Sequence, residues 1–122
     1  MKAFVIICVI FAVMLGCIVF NYFYINKTSN ELYVLASGIP GVEEDGCYAG
    51  VSQLDQYWQQ HHDRVGLSVS FVELNRVSDA ITSMKSYAAA GEEADFECAR
   101  ELLLNAIHEM RRLEAFTIGN IL

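Results

Sequence analysis

A chain of 122 residues and 13.7 kDa holds one domain beside a membrane segment and excludes a multidomain enzyme. Eight Lys and Arg against fifteen Asp and Glu give a net charge of −7 and a pI near 4.8, with no basic run, which argues against a nucleic-acid partner. A hydrophobic content of 54% is high for so acidic a chain, and one Pro with eight Gly leave too few turns for a sandwich or barrel, so the expected fold class is all-α.

The apolar excess is concentrated in residues 3–25, where no charge occurs. At 1.5 Å per residue this stretch reaches about 35 Å, enough to cross a hydrocarbon core roughly 30 Å thick. Asn21-Tyr22-Phe23-Tyr24 closes it with rings suited to the headgroup level, and Lys27 follows to snorkel outward. A cleaved signal peptide lacks its A-x-A-like site here. Met14-Leu15-Gly16-Cys17 loosely resembles a lipobox, which would make Cys17 a lipidated first residue, but Ile18-Val19-Phe20 continues the apolar run where such proteins have a polar tether. The favoured reading is an uncleaved signal anchor over residues 1–27. Lys2 and Lys27 flank it almost evenly, so the extracytoplasmic placement of the remainder rests on the two-residue head typical of exported domains.

Residues 28–41 read as a juxtamembrane helix and linker: Leu32, Leu35 and Ala36 keep helical spacing, and Gly38-Ile39-Pro40-Gly41 breaks it. The helical domain follows over residues 42–122. Cys47, Val51, Leu54, Trp58, His61 and Val65 recur every three or four residues and predict a helix ending near Gly66, with Glu43, Glu44 and Asp45 in its first turn. Leu74, Val77, Ile81, Met84 and Ala88 mark a second helix, predicted over 67–88. Ala90-Gly91 stops it, and Glu92, Glu93 and Asp95 favour the amino end of the next helix. The last stripe is Phe96, Ala99, Leu103, Ala106, Met110 and Leu113, widened by Leu102 and Ile107. Apolar stripes on helices joined by short connections pack inward as antiparallel neighbours, giving a three-helix bundle to which the juxtamembrane helix can add a fourth.

Few residues point to chemistry. Cys8 and Cys17 lie in the anchor, whereas Cys47 and Cys98 lie near the amino ends of two helices that run parallel in an alternating bundle. Export would permit a disulfide closing a loop of about 50 residues, which contributes roughly 4 kcal/mol in the chain-entropy model. Two separate buried thiols fit the pattern equally, since bridging also needs Cα atoms within about 7 Å. His61, His62 and Asp63, with His108 and Glu109, invite a metal reading, but adjacent helical histidines diverge where ligands sit three or four residues apart. His61 is expected beside Trp58, and His62 in solvent. No G-x-S-x-G, phosphate loop or C-x-x-C occurs, so no catalytic residue, metal site or cofactor is expected, and a hydrolase built on His61 or His62 is the weakest reading. Tyr48, Tyr57, Trp58, Phe71 and Tyr87 are core candidates. Tyr57, Trp58, His61 and Phe71 are the positions where a pocket for a small apolar molecule, or an interface, would form.

The layout resembles the domain-of-unknown-function 4363 family, small singly anchored helical proteins of Gram-positive spore-forming bacteria. The matching pieces are Ser29-Asn30-Glu31-Leu32 after the span, Trp58 late in the second helix, Glu73-Leu74 through Ile81 to Tyr87, and the tail from Leu113-Glu114 to Asn120-Ile121-Leu122. Where the family leads one to expect a His before the Glu of the third helix, this sequence has Phe71. The resemblance implies an anchor and a helical domain and brings no catalytic residue. Expected from all this is a membrane-anchored interaction or scaffold component of the cell envelope or sporulation machinery, not an enzyme, with a protein partner of unknown identity and the membrane itself, held by residues 3–25, as contacts. The alternative is a ligand-sensing or carrier bundle.

Overall fold

The computed structural model describes residues 1–42, 44–67 and 69–121, and at 114–118, 120 and 121 the backbone alone. Glu43 and the tail residue Leu122 therefore lie outside the described residues. The described chain forms four helices and no strand: α1 (Lys2–Ser37), α2 (Cys47–Val65), α3 (Phe71–Ala90) and α4 (Glu93–Ile121). This is the all-α architecture expected, an apolar helix followed by an antiparallel bundle. The fourth helix of the bundle is the continuation of α1 itself.

α1 runs for 36 residues without a break. Its first half is apolar and bare: residues 1–14 are all exposed. The helix is long and apolar enough to cross a bilayer. Its second half belongs to the core, with Ile25, Leu32 and Ala36 buried beside Thr28 and Ser29. The helix passes residue 27 without a break, and residues on both sides share one packed face.

α1 packs against α2 and α4, α3 packs against the same two, and neither diagonal pair makes contact, so the helices stand at the corners of a square. The core gathers the expected stripes. Val51, Leu54, Trp58 and Val65 of α2, Val77, Ile81 and Met84 of α3, and Phe96, Leu103, Ile107 and Met110 of α4 are all 2% exposed or less. Leu102 departs from expectation. It is 60% exposed, because Leu103 already occupies the inward position and its neighbour points about 100° away.

Helix ends follow local chemistry. Gly91 takes the left-handed conformation at φ 73°, and Glu92 N–H bonds back to the Tyr87 carbonyl, closing α3 where Ala90-Gly91 predicted. Ser70 caps α3 by accepting from the Glu73 amide, so this helix starts at Phe71 and not at 67. α2 starts at Cys47 after Gly46 (φ 90°). Glu44 and Asp45 thus precede the helix instead of filling its first turn, because the left-handed turn at Gly46 sets the start.

Two polar contacts fix the corners. The Trp58 indole N–H donates to Ser78 Oγ at 2.8 Å, joining α2 to α3 inside an otherwise apolar layer. Arg100 of α4 donates to the carbonyls of Ile39 (2.7 Å) and Pro40 (3.3 Å), and stacks at 5.1 Å over Phe96. It thereby satisfies carbonyls in the α1–α2 connection, which lies outside any helix. In full-length protein held in micelles, Trp58→Ala is expected to lower stability by about 3–5 kcal/mol. Ser78→Ala, which strands the indole N–H, should cost about 1–3 kcal/mol. Denaturation followed by circular dichroism measures both.

Candidate functional site

The sequence-predicted residues do not converge on one cavity. Trp58 is fully buried, whereas Phe71 is 75% exposed at the start of α3. The histidines are exchanged relative to expectation: His62 meets Trp58 edge-on with centroids 5.6 Å apart, while His61 turns toward α1. Because α2 meets α1 along one side and α3 along the next, residues 58 and 62, a full turn apart, share the side that 61 leaves.

His61, Tyr57, Tyr24 and Arg64 form a polar and aromatic corner between α1 and α2. Tyr24 Oη lies 2.6 Å from His61 Nδ1, the Tyr57 ring stacks at 4.3 Å on the imidazole, and the Arg64 guanidinium sits 5.1 Å above the Tyr24 ring. Burial pushes the Tyr57 phenol above the ordinary tyrosine range, against the downward pull of its hydrogen bond with Thr28. Three of these residues fall on α2 at spacings of four and three, and Tyr24 supplies the opposite wall. The corner holds an imidazole hydrogen-bonded to one phenol and stacked on the ring of another, contacts that join α2 to α1. Its chemistry is that of a packing joint. Sequence reasoning placed Tyr24 at a headgroup boundary and missed Arg64. The signal available was the run Tyr57, His61, Arg64 on one face of an otherwise apolar-striped helix.

Cys47 and Cys98 are both free thiols and are not brought together. Cys47 is buried, Cys98 is exposed, and among the described residues α2 and α4 stand on a diagonal with no close approach of their backbones. Matching height along parallel helices is therefore not enough for a bridge. Desolvation raises the Cys47 thiol above its ordinary value, opposed by the nearby Arg100 and reinforced by Glu97. Among the described residues no three of His, Cys, Asp and Glu gather as metal ligands do.

Two surface grooves are present. One, of about 410 Å³, runs between α3 and α4, floored by Ala80, Ala99 and Ala106 and rimmed by Leu102, Arg76 and Glu109. The other, of about 310 Å³, lies where Ile39 and Pro40 cross the start of α2. Neither includes Tyr57, Trp58, His61 or Phe71. No protein-family model, curated protein or solved structure matches the chain.

Two outcomes follow from the thiols and the phenol. An alkylating reagent added to native protein should modify Cys98 quickly and Cys47 only upon denaturation, read by mass spectrometry. Folded-state values raised for Cys47 and Tyr57 mean that the unfolded chain gives up these protons first. Their contribution is complete at neutral pH and is lost as pH climbs past the ordinary thiol value of 9.0 and then the ordinary phenol value of 10.0. Denaturation midpoints should decline across that range. Cys47→Ala should flatten the earlier part of the decline and Tyr57→Phe the later.

Proposed function

We propose that the protein is a single-pass membrane component, with its helical domain outside the cytoplasm, that makes protein contacts and catalyses no reaction. The observation that carries this reading is the double use of α1. One unbroken helix is long and apolar enough in its amino-terminal part to cross a bilayer and, without a linker, becomes a corner of the bundle. Such a body is held at a fixed height and angle over the membrane, which suits a scaffold or adaptor. The filled interior around Trp58 and Phe96 leaves the outer faces as the working surface. The face most open to a partner is the α3–α4 groove, where small side chains allow close approach and Leu102 stands exposed on the rim. The resemblance drawn from the sequence supports the anchor and the helical domain, and the process proposed for such a component is the cell envelope or sporulation machinery.

The test uses intact cells. A membrane-impermeant maleimide should reach Cys98 from outside. A photoreactive residue in place of Leu102 should form a discrete adduct that one in place of Gln59, on the opposite side of the bundle, does not. Labelling of Cys98 only after lysis would reverse the orientation. Absence of adducts from Leu102 and from other exposed positions would remove the scaffold reading.

A further inference from the structure

The geometry points to a bundle that does not stand clear of the membrane but sits with its lower end in the lipid interface, the carboxyl end of α4 entering the bilayer beside α1. This inference rests on the proposed single-pass reading and adds a second membrane contact to it.

Length is the first argument. The part of α1 with no neighbour covers residues 3–14, about 18 Å of helix at 1.5 Å per residue, whereas the hydrocarbon core is roughly 30 Å thick. The missing 12 Å or so must come from the next eight residues of α1. That stretch is not bare. Leu15, Ile18 and Tyr22 are partly shielded while residues 16, 17 and 19–21 are exposed, so one face of the helix is covered. Their spacing of three and four continues through Ile25, Ser29, Leu32 and Ala36, the face that packs in the bundle.

What covers that face follows from register. Arg100 of α4 is bonded to the carbonyl of Ile39, just beyond the end of α1, and the two helices run antiparallel in contact. From residue 100 to residue 121 α4 advances about 32 Å, which leads back along α1 from residue 37 to about residue 16. The stretch 113–121 thus lies alongside the lower part of the span, and in sequence it carries a single charge, Glu114.

The other two helices end where this overhang begins. Arg64 over Tyr24 sets the last turn of α2 level with residue 24, and Arg76 and Glu109 line the same α3–α4 groove, which sets the start of α3 near the level of residue 112. The connection between them and the first residues of α3 present Leu67 at 86% exposure, Phe71 at 75% and Val72 at 59%, three apolar side chains in water if this end were clear of the membrane. Tyr22, Phe23 and Tyr24 of α1 lie at the same level. Charge separates the two ends. At this end Lys27, Arg64, Arg76, Arg111 and Arg112 stand with Asp63, Glu73 and Glu109, and Arg76–Glu73 and Arg112–Glu109 are paired, so the charges nearly balance. The far end carries Glu44, Asp45, Glu92, Glu93, Asp95 and Glu97 against Arg100. An end with exposed apolar tips and little net charge suits the interface better than the acidic one, which anionic headgroups would repel.

The experiment places an environment-sensitive nitrobenzoxadiazole dye on single cysteines of the full chain in phosphatidylcholine and phosphatidylglycerol vesicles. The background is Cys8→Ala, Cys17→Ala, Cys47→Ala and Cys98→Ser, with helicity checked by circular dichroism. Sites are Ile10→Cys, Leu67→Cys, Phe71→Cys, Gly119→Cys and Glu92→Cys. All are exposed, and a Cβ added at Gly119 meets nothing within 4 Å. Nitroxides high on the acyl chain should remove most of the emission from the dyes at 67, 71 and 119 and leave the dye at 92 untouched. Should position 10 be quenched while 67, 71 and 119 stay water-like, the interfacial seat is overturned and the single span survives. Should position 10 itself stay water-like, the span falls and this inference with it.

Discussion

Everything in this fold depends on one helix satisfying two environments along its length. The backbone of α1 is hydrogen-bonded within itself throughout, so it can leave an apolar medium and enter a protein core without exposing a polar group. Its side chains make the distinction. Above residue 25 the inward face carries Thr28, Ser29, Leu32 and Ala36, small enough for close neighbours, and below residue 15 every side chain faces outward. A bundle of about 80 residues has a modest core, and its fourth wall is donated by the helix that also carries the apolar stretch. Folding of the domain therefore depends on α1, because without residues 25–36 the other three helices would lose the partner of both α2 and α4.

Polar groups are used sparingly inside and at definite places. Trp58 with Ser78 and Arg100 with the carbonyls of residues 39 and 40 each join segments distant in sequence and each satisfy a group that could not otherwise be buried. The Lys85–Asp55 pair, at 3.4 Å and partly exposed on both sides, contributes about 0–1 kcal/mol and decides little. Apolar stripes set which helices pack. The hydrogen bonds of Trp58 and Arg100 set how they align.

Much of this was legible from periodicity. The stripes of α2, α3 and α4 are buried nearly as read, and Gly91 ends α3 as its type implies, since these signals are local and depend on helical geometry alone. The seam of α1 was hidden because residues 3–25 are apolar on every side. Leu15, Ile18 and Tyr22 carry no contrast with their neighbours until a second helix shades them. Arg100 was missed for a related reason: its partners are backbone carbonyls sixty residues away, which no pattern of side chains announces. The relation of Cys47 to Cys98 stayed open in the sequence because height along a bundle is readable from helix direction, whereas position around it is not. The same uncertainty in azimuth exchanged His61 with His62 and turned Leu102 outward.

The absence of a hinge in α1 makes the molecule a lever. A rod of 36 residues is about 54 Å long, so in a bilayer a lean of about ten degrees carries its upper end sideways by roughly 9 Å. Hydrophobic helices lean more in thin membranes than in thick ones. Local lipid thickness would thus be converted into the reach of the acidic crown, and a neighbour waiting at a set distance would meet it in one patch of membrane and miss it in another.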